Sequence, residues 1–228
     1  MTGGSRGGGG PPGRPFPREI LAGDTRSAAR ALIGARLVRD EPDGEPRMGR
    51  IVEAEAYLGE EDRASHARMG PTARNEVMFG PPGLAYVYLV YGMHHCLNVV
   101  TEPSARAAAV LIRAVEPLSG VARMRVARER GRLAHVRVAD HRLAAGPGLV
   151  AAAFELDRSH TGLDLCDAGS PVRLEAAPAG EPPPVVETTP RIGIAYAGEP
   201  WTGVPWRFID PASPSLSRPG AVRSRTRG

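Results

Sequence analysis

The sequence predicts an α+β fold: a single mixed domain with a curved antiparallel or mixed sheet and flanking helices. Three observations point there. The chain has 228 residues, 42% of them hydrophobic and 24% charged, which supports one sizeable domain with its own core. Two stretches, Arg50 to Gly59 and Leu84 to Val100, carry the alternation or the aromatic and β-branched content of strands. Helical and strand-like segments follow one another without the regular β-α-β alternation of a doubly wound sheet.

Residues 1–16 are Gly/Pro-rich without periodicity and are expected to be a disordered tail. The domain is expected to span 17–210. Asp24 or Thr25 can cap a helix through Ala28, Ala29, Leu32 and Ile33, ended by Gly34. Arg36 to Arg39 is a short strand, and Glu41 to Arg47 is a turn. Arg50 to Gly59 is the strand on which the rest is organised. Gly59 to Pro71 is polar and predicts a loop holding His66, and Thr72 to Phe79 a short helix stopped by G-P-P-G. Leu84 to Val100 predicts a β-hairpin or sharply bent strand with Tyr91-Gly92 at the bend. Tyr86 and Tyr88 then share a face, and Tyr91 projects outward.

Ala107 to Val115 is a buried strand interrupted by Arg113, a charge that needs an acidic partner. Leu118 to Leu133 predicts an amphipathic helix bearing Arg123, Arg125, Arg128, Arg130 and Arg132, most simply a solvated face. A-G-P-G-L-V-A-A-A-F-E-L predicts a helix with Pro147 or Gly148 in its first turn. Val172 to Leu174, Pro190 to Ala195 and Trp206 to Ile209 are short strands. Residues 211–228, with Arg218, Arg223, Arg225 and Arg227, are expected to be a flexible basic tail.

All 29 basic side chains are Arg, and the net charge is +4. A nucleic-acid partner is allowed by that charge and not demanded by it. Cys96 and Cys166 are the two cysteines; they make no disulfide framework and fit no zinc spacing. His94, His95 and Cys96 are adjacent and cannot easily converge on one metal. No apolar run is long enough to span a membrane, and the N-terminus lacks the apolar core of a secretory signal. The expectation is a cytoplasmic protein without a metal.

The chemistry concentrates in R-I-V-E-A-E-A-Y-L-G. Strict alternation puts Ile51, Glu53, Glu55 and Tyr57 on one face and apolar Val52, Ala54, Ala56 and Leu58 on the other. Two neighbouring carboxylates repel, and partial burial raises at least one pKa, as a general acid or base requires. The plainer alternative is a half-exposed strand with both glutamates in water. Likewise Tyr86, Tyr88 and Tyr91 are either packing tyrosines or ligand contacts, and Arg113 either serves a site or forms a structural pair with Glu53. Together they suit an enzyme acting on a base within duplex nucleic acid, which must extrude the base, fill the gap and sandwich the base in a pocket.

The runs R-I-V-E-A-E-A-Y-L-G, S-H-A-R, T-A-R-N-E-V-M-F, L-A-Y-V-Y-L-V-Y-G-M-H-H-C-L-N-V-V and V-L-I-R-A-V-E-P, in this order, resemble the alkyladenine (3-methyladenine) DNA glycosylase family, in a bacterial member. The likeness continues through A-G-P-G, R-I-G-I-A-Y-A-G-E-P-W and P-W-R-F, covering roughly Pro17 to Asp210. It implies a mixed domain with a protruding β-hairpin. It implies Glu55 as the general base, with Arg113 holding the carboxylate and its water. Tyr57, His66 and Tyr88 would line the base pocket, with Asn98 set against the exocyclic amino group of guanine-type bases. Tyr91 would enter the minor groove with Met93 beside it at the DNA surface. Arg68, Thr72 and Arg74 are candidate DNA-backbone contacts. The implied partner is double-stranded DNA containing damaged purines, with no cofactor, no obligate protein partner and a monomeric enzyme. Leu149 and Ala152 stand where relatives commonly carry Lys and Gln, so no phosphate or pocket-edge contact is carried over there. A non-catalytic DNA-binding module of the same fold is the rival reading, and a glycosidase for free nucleosides is a third.

Overall fold

A computed structural model describes residues 13–42, 44–130 and 138–217. After a short α1 (Arg18–Leu21), Asp24 caps α2 (Thr25–Leu32) by accepting the Ser27 N–H, and Gly34, at φ +94°, turns the chain back. That turn delivers β1 (Arg36–Arg39) and β2 (Arg47–Tyr57). Next come β3 (Ala85–Val90), β4 (His94–Thr101) and β5 (Ala108–Ser119). Helices α3 (Val121–Glu129) and α4 (Pro147–Ala153) follow, α4 opening on Pro147 as its composition predicts. Three short strands close the chain: β6 (Val172–Glu175), β7 (Glu187–Thr189) and β8 (Arg207–Ile209).

The strands form one sheet in the order β3-β4-β5-β2-β1-β6, with β8 joining β2 and β7. Every pairing is antiparallel. The fold is the expected α+β domain. β2 is flanked throughout: β5 runs along one side, while β1 and then β8 take the other. Helix α2 packs on β2, and α4 packs on β4 and β5. The main core gathers Leu32, Ile51, Leu97, Ile112, Phe154 and their neighbours, large side chains whose burial contributes about 1.5–3 kcal/mol each.

Several expectations are corrected. Strict alternation along β2 fails, because the register against β5 slips on both sides of Glu53. Ile51 therefore joins Ala54 and Ala56 in the main core, and Val52 packs with Ala114, Ile209 and Leu216. A bulge of this kind re-aims side chains without any sequence signal. Pro190 to Ala195 is not a strand: Pro190 lacks a donor, Gly193 sits at φ +80°, and the segment runs into a 3-10 turn at Ala195–Ala197. The pairing strand lies just before it, at β7. The Arg-rich helix begins at Val121, because β5 continues to Ser119 and Gly120 turns at φ +64°; Arg132 and Leu133 lie outside the described residues. In 72–79 only Glu76–Phe79 is helical, as a 3-10 turn.

At the ends, Phe16 is buried and its N–H donates to the Leu174 carbonyl. Residues 211–217 lie against the sheet, with Ser215 and Leu216 buried. Residues 1–12 and 218–228, including Arg218, Arg223, Arg225 and Arg227, lie outside the described residues. No helix of the described residues is long and apolar enough to cross a membrane.

Candidate active site

Glu53 and Glu55 are fully buried, not half-exposed, because Arg113, Arg207 and the segments at Ile192 and Ser217 pack over their carboxylates. Each carboxylate is matched. Arg113, reaching over from β5, donates Nε to Glu53 at 2.9 Å and Nη1 to Glu55 at 3.3 Å. Glu53 also receives Arg207 Nε at 2.7 Å, the Ser217 N–H at 2.7 Å and the Ser217 hydroxyl at 2.7 Å. Burial alone would raise the Glu53 pKa; Arg113 and Arg207 outweigh it and hold the carboxyl below its ordinary value. The upward shift expected from burial is thus not found at Glu53, because two guanidiniums outweigh the loss of solvent. Glu55 accepts the Tyr57 hydroxyl on Oε2 at 2.8 Å and the Ile192 N–H on Oε1 at 2.8 Å. Burial first, then the Glu55 carboxylate, push the Tyr57 phenol well above its ordinary pKa, so it stays a protonated donor.

Tyr57 is also one wall of a pocket lined by His66, Tyr86, Tyr88, Asn98 and Tyr196 among others. The space it encloses in the free protein is about 50 Å³, well below the roughly 300–1,000 Å³ of small-molecule sites, so a bound base must widen it. Glu55 does not line the pocket; it lies behind Tyr57 and reaches the pocket through that hydroxyl. The His66 ring meets the Tyr88 ring edge-on at 4.3 Å between centroids, and Tyr86 lies 5.4 Å from Tyr88. His66 Nδ1 is 3.2 Å from the Tyr86 hydroxyl. Asn98 is buried and donates to the Tyr86 carbonyl at 3.0 Å, which fixes its amide in the pocket wall.

His66 keeps an outer side open to solvent, while protein crowds its inner edge. That crowding, and then the charge of Arg74, lower its pKa to about 4. At neutral pH it is an uncharged wall. The folded pKa lies below the ordinary 6.5, so as pH falls the unfolded chain takes this proton first. His66 therefore costs no stability above about pH 6.5, and an increasing amount as pH falls toward 4. An NMR titration should place its midpoint near 4; a midpoint at 6.5 or above would mean the ring is not packed in this way.

At the hairpin tip, Met93 N–H closes onto the Val90 carbonyl at 3.1 Å, leaving Tyr91 at φ +52° and Gly92 at φ +67°. The left-handed region costs a non-glycine residue about 1–2 kcal/mol. Tyr91 is nevertheless 86% exposed, so no packing in the free protein offsets that cost, and Met93 beside it is 70% exposed. Tyr196 is 66% exposed as well. It lines the pocket and donates its hydroxyl to the Ala64 carbonyl at 3.1 Å. Of the candidate backbone contacts, Arg68, Thr72 and Arg74 are all exposed. The Thr72 hydroxyl is engaged by Asn75. Arg74 donates to the Leu89 carbonyl and lies 5.6 Å over the Tyr88 ring, so it braces the pocket.

Sequence reasoning missed four contributors: Ile192 N–H, Asp62, Arg191 and Tyr196. A signal existed for Arg191, since a lone Arg in an apolar run needs an acid, as argued for Arg113. It binds Asp62 with both side chains fully buried. The Ile192 amide left no trace in residue types. Among the described residues, no three His, Cys, Asp or Glu side chains are grouped to hold a metal.

Residues 19–214 match the family model described as methylpurine-DNA glycosylase. The chain is 46% identical over 209 residues to a protein of Methanocella arvoryzae named "putative 3-methyladenine DNA glycosylase", covering 91% of this chain and 98% of that one. Proteins of the same name from Anaeromyxobacter dehalogenans strain 2CP-1 and Myxococcus xanthus are 45% and 46% identical. Those matches cover 92% and 85% of this chain, and 90% and 88% of the relatives.

Proposed function

The chain belongs to the methylpurine-DNA glycosylase family, and on that premise we propose that it is a monofunctional enzyme of base excision repair. It extrudes an alkylated or deaminated purine from duplex DNA, hydrolyses the N-glycosidic bond and leaves an abasic site. The observation that carries this reading is the Tyr57 hydroxyl, which walls the aromatic pocket and donates to the buried Glu55 carboxylate.

Tyr57, His66 and Tyr88 hold the extruded base, Asn98 tests its exocyclic edge, and Tyr91 with Met93 fills the gap left in the stack. Arg68, Thr72 and Arg74 lie toward the DNA backbone. Glu55 takes a proton from water as the water oxygen bonds to C1′. The bond from C1′ to the base nitrogen breaks, and its electron pair leaves with the base. N3 or N7 alkylation makes the base cationic, so it departs without a general acid. In the free protein Glu55 is sealed behind Tyr57, so the nucleotide must open a path for water to Oε2. Catalytic contacts often reach working geometry only in the substrate complex. The enzyme works as a monomer, without a cofactor, on DNA in the bacterial cytoplasm.

The absence of Lys removes the usual side-chain amine for Schiff-base attack on C1′. Duplexes carrying 3-methyladenine, 7-methylguanine, hypoxanthine or ethenoadenine should acquire alkali-sensitive sites at the lesion. Borohydride should trap no protein–DNA adduct. An adduct would refute the monofunctional mechanism, and duplexes left intact at every lesion would refute the glycosylase.

A further inference from the structure

We propose that the buried Asp62–Arg191 ion pair is the device that positions the Glu55 carboxylate, an inference that rests on the glycosylase reading for its catalytic meaning. Arg191 forks onto Asp62, Nη1 to Oδ2 at 2.5 Å and Nη2 to Oδ1 at 2.9 Å, and Nη1 also donates to the Ala56 carbonyl at 2.9 Å. Asp62 in turn accepts the N–H groups of Leu58 at 3.2 Å and Ala64 at 2.9 Å. The pair therefore ties together the end of β2, the loop that follows it and the segment entering at Arg191.

Two of the three donors on Glu55 depend on that junction. The Arg191 guanidinium lies 4.6 Å from the Tyr57 ring centroid, with Trp206 at 5.0 Å, and so holds the Tyr57 ring in place. The amide that donates to Glu55 Oε1 belongs to the next residue, Ile192. The third donor, Arg113, is set independently through Glu53. A buried ion pair gains little net stability over a well-packed apolar pair. A bidentate fork does fix the plane and rotation of a side chain, and here that plane sets a phenol and an amide on one carboxylate. Asp62 and Arg191 are positioning residues: neither lines the pocket.

The test uses two full-length variants. Arg191→Lys keeps the charge and loses the planar fork. The double variant Asp62→Asn/Arg191→Met leaves no unpaired buried charge, so it keeps a folded protein available if the single variant does not fold. Four quantities are measured: hydrogen exchange of the Ile192 amide, the single-turnover excision rate, the Kd for duplex containing an abasic-site analogue, and Tm. In both variants the Ile192 amide should lose protection and excision should fall about 10–100-fold, with Kd within about threefold of the parent. The idea is overturned if the Ile192 amide stays protected and excision holds. It is also overturned if the rate loss vanishes when assayed well below the melting transition. Should the parent excise no methylpurine while the Ile192 amide responds as described, the glycosylase reading fails and the clamp stands.

Discussion

Glu55→Gln is expected to lower single-turnover excision by about 10²–10⁴-fold, the usual contribution of a general base, with binding to abasic-site duplex retained. Glutamine keeps the volume and one acceptor oxygen, which can take the Ile192 N–H, while its NH2 faces the Tyr57 hydroxyl, which can turn to accept; it loses the charge that takes the proton. The fold should survive, because Arg113 remains paired with Glu53. The buried network as a whole balances three acids, Glu53, Glu55 and Asp62, against three arginines, Arg113, Arg191 and Arg207. The substitution leaves one excess positive charge and no isolated one. Excision by the variant within threefold of the parent would remove Glu55 from the chemistry. A parent that binds damaged duplex and never excises would favour the non-catalytic module.

Tyr91→Ala should reduce excision from duplex by about 10–100-fold, the equivalent of losing one stacking contact of about 1–3 kcal/mol. Excision from a single strand, where no gap has to be filled, should change far less. Tyr91→Gly separates function from folding. Relief of the left-handed backbone should raise stability by about 1 kcal/mol, read as an increase in Tm, while duplex excision falls as it does for alanine. A lower Tm would mean that the ring packs on the protein. Equal losses on duplex and single strands would remove the wedge from the mechanism, and no loss on either would favour a nucleoside glycosidase.

Much of the fold was legible because the signals were local. Asp24 three residues before Ser27, Gly34 after an apolar helix, Pro147 at a helix start and Tyr91-Gly92 between two strand-like runs each act within one turn of chain. Failures came where a competing partner stood far away. Pro190 to Ala195 is apolar enough for a strand, yet Ile192 gives its N–H to a carboxylate 137 residues away in sequence. Ile51 and Val52 alternate correctly on paper and are reassigned by a bulge against β5.

The amino-acid sequence by itself determined the class of fold, the family, and the residue types placed at the strand and the hairpin tip, because periodicity, capping and motif order are carried by neighbouring residues. Tertiary structure alone decided that Glu53 and Glu55 are sealed from water, that they share Arg113 and each has further donors of its own, and that Tyr57 stands between Glu55 and the pocket. Those features come from contacts between segments more than fifty residues apart, as from Glu55 to Arg113 and to Ile192. The physical reason is that burial and charge pairing are properties of what surrounds a side chain, and those surroundings are set by segments distant in sequence that pack beside and over it.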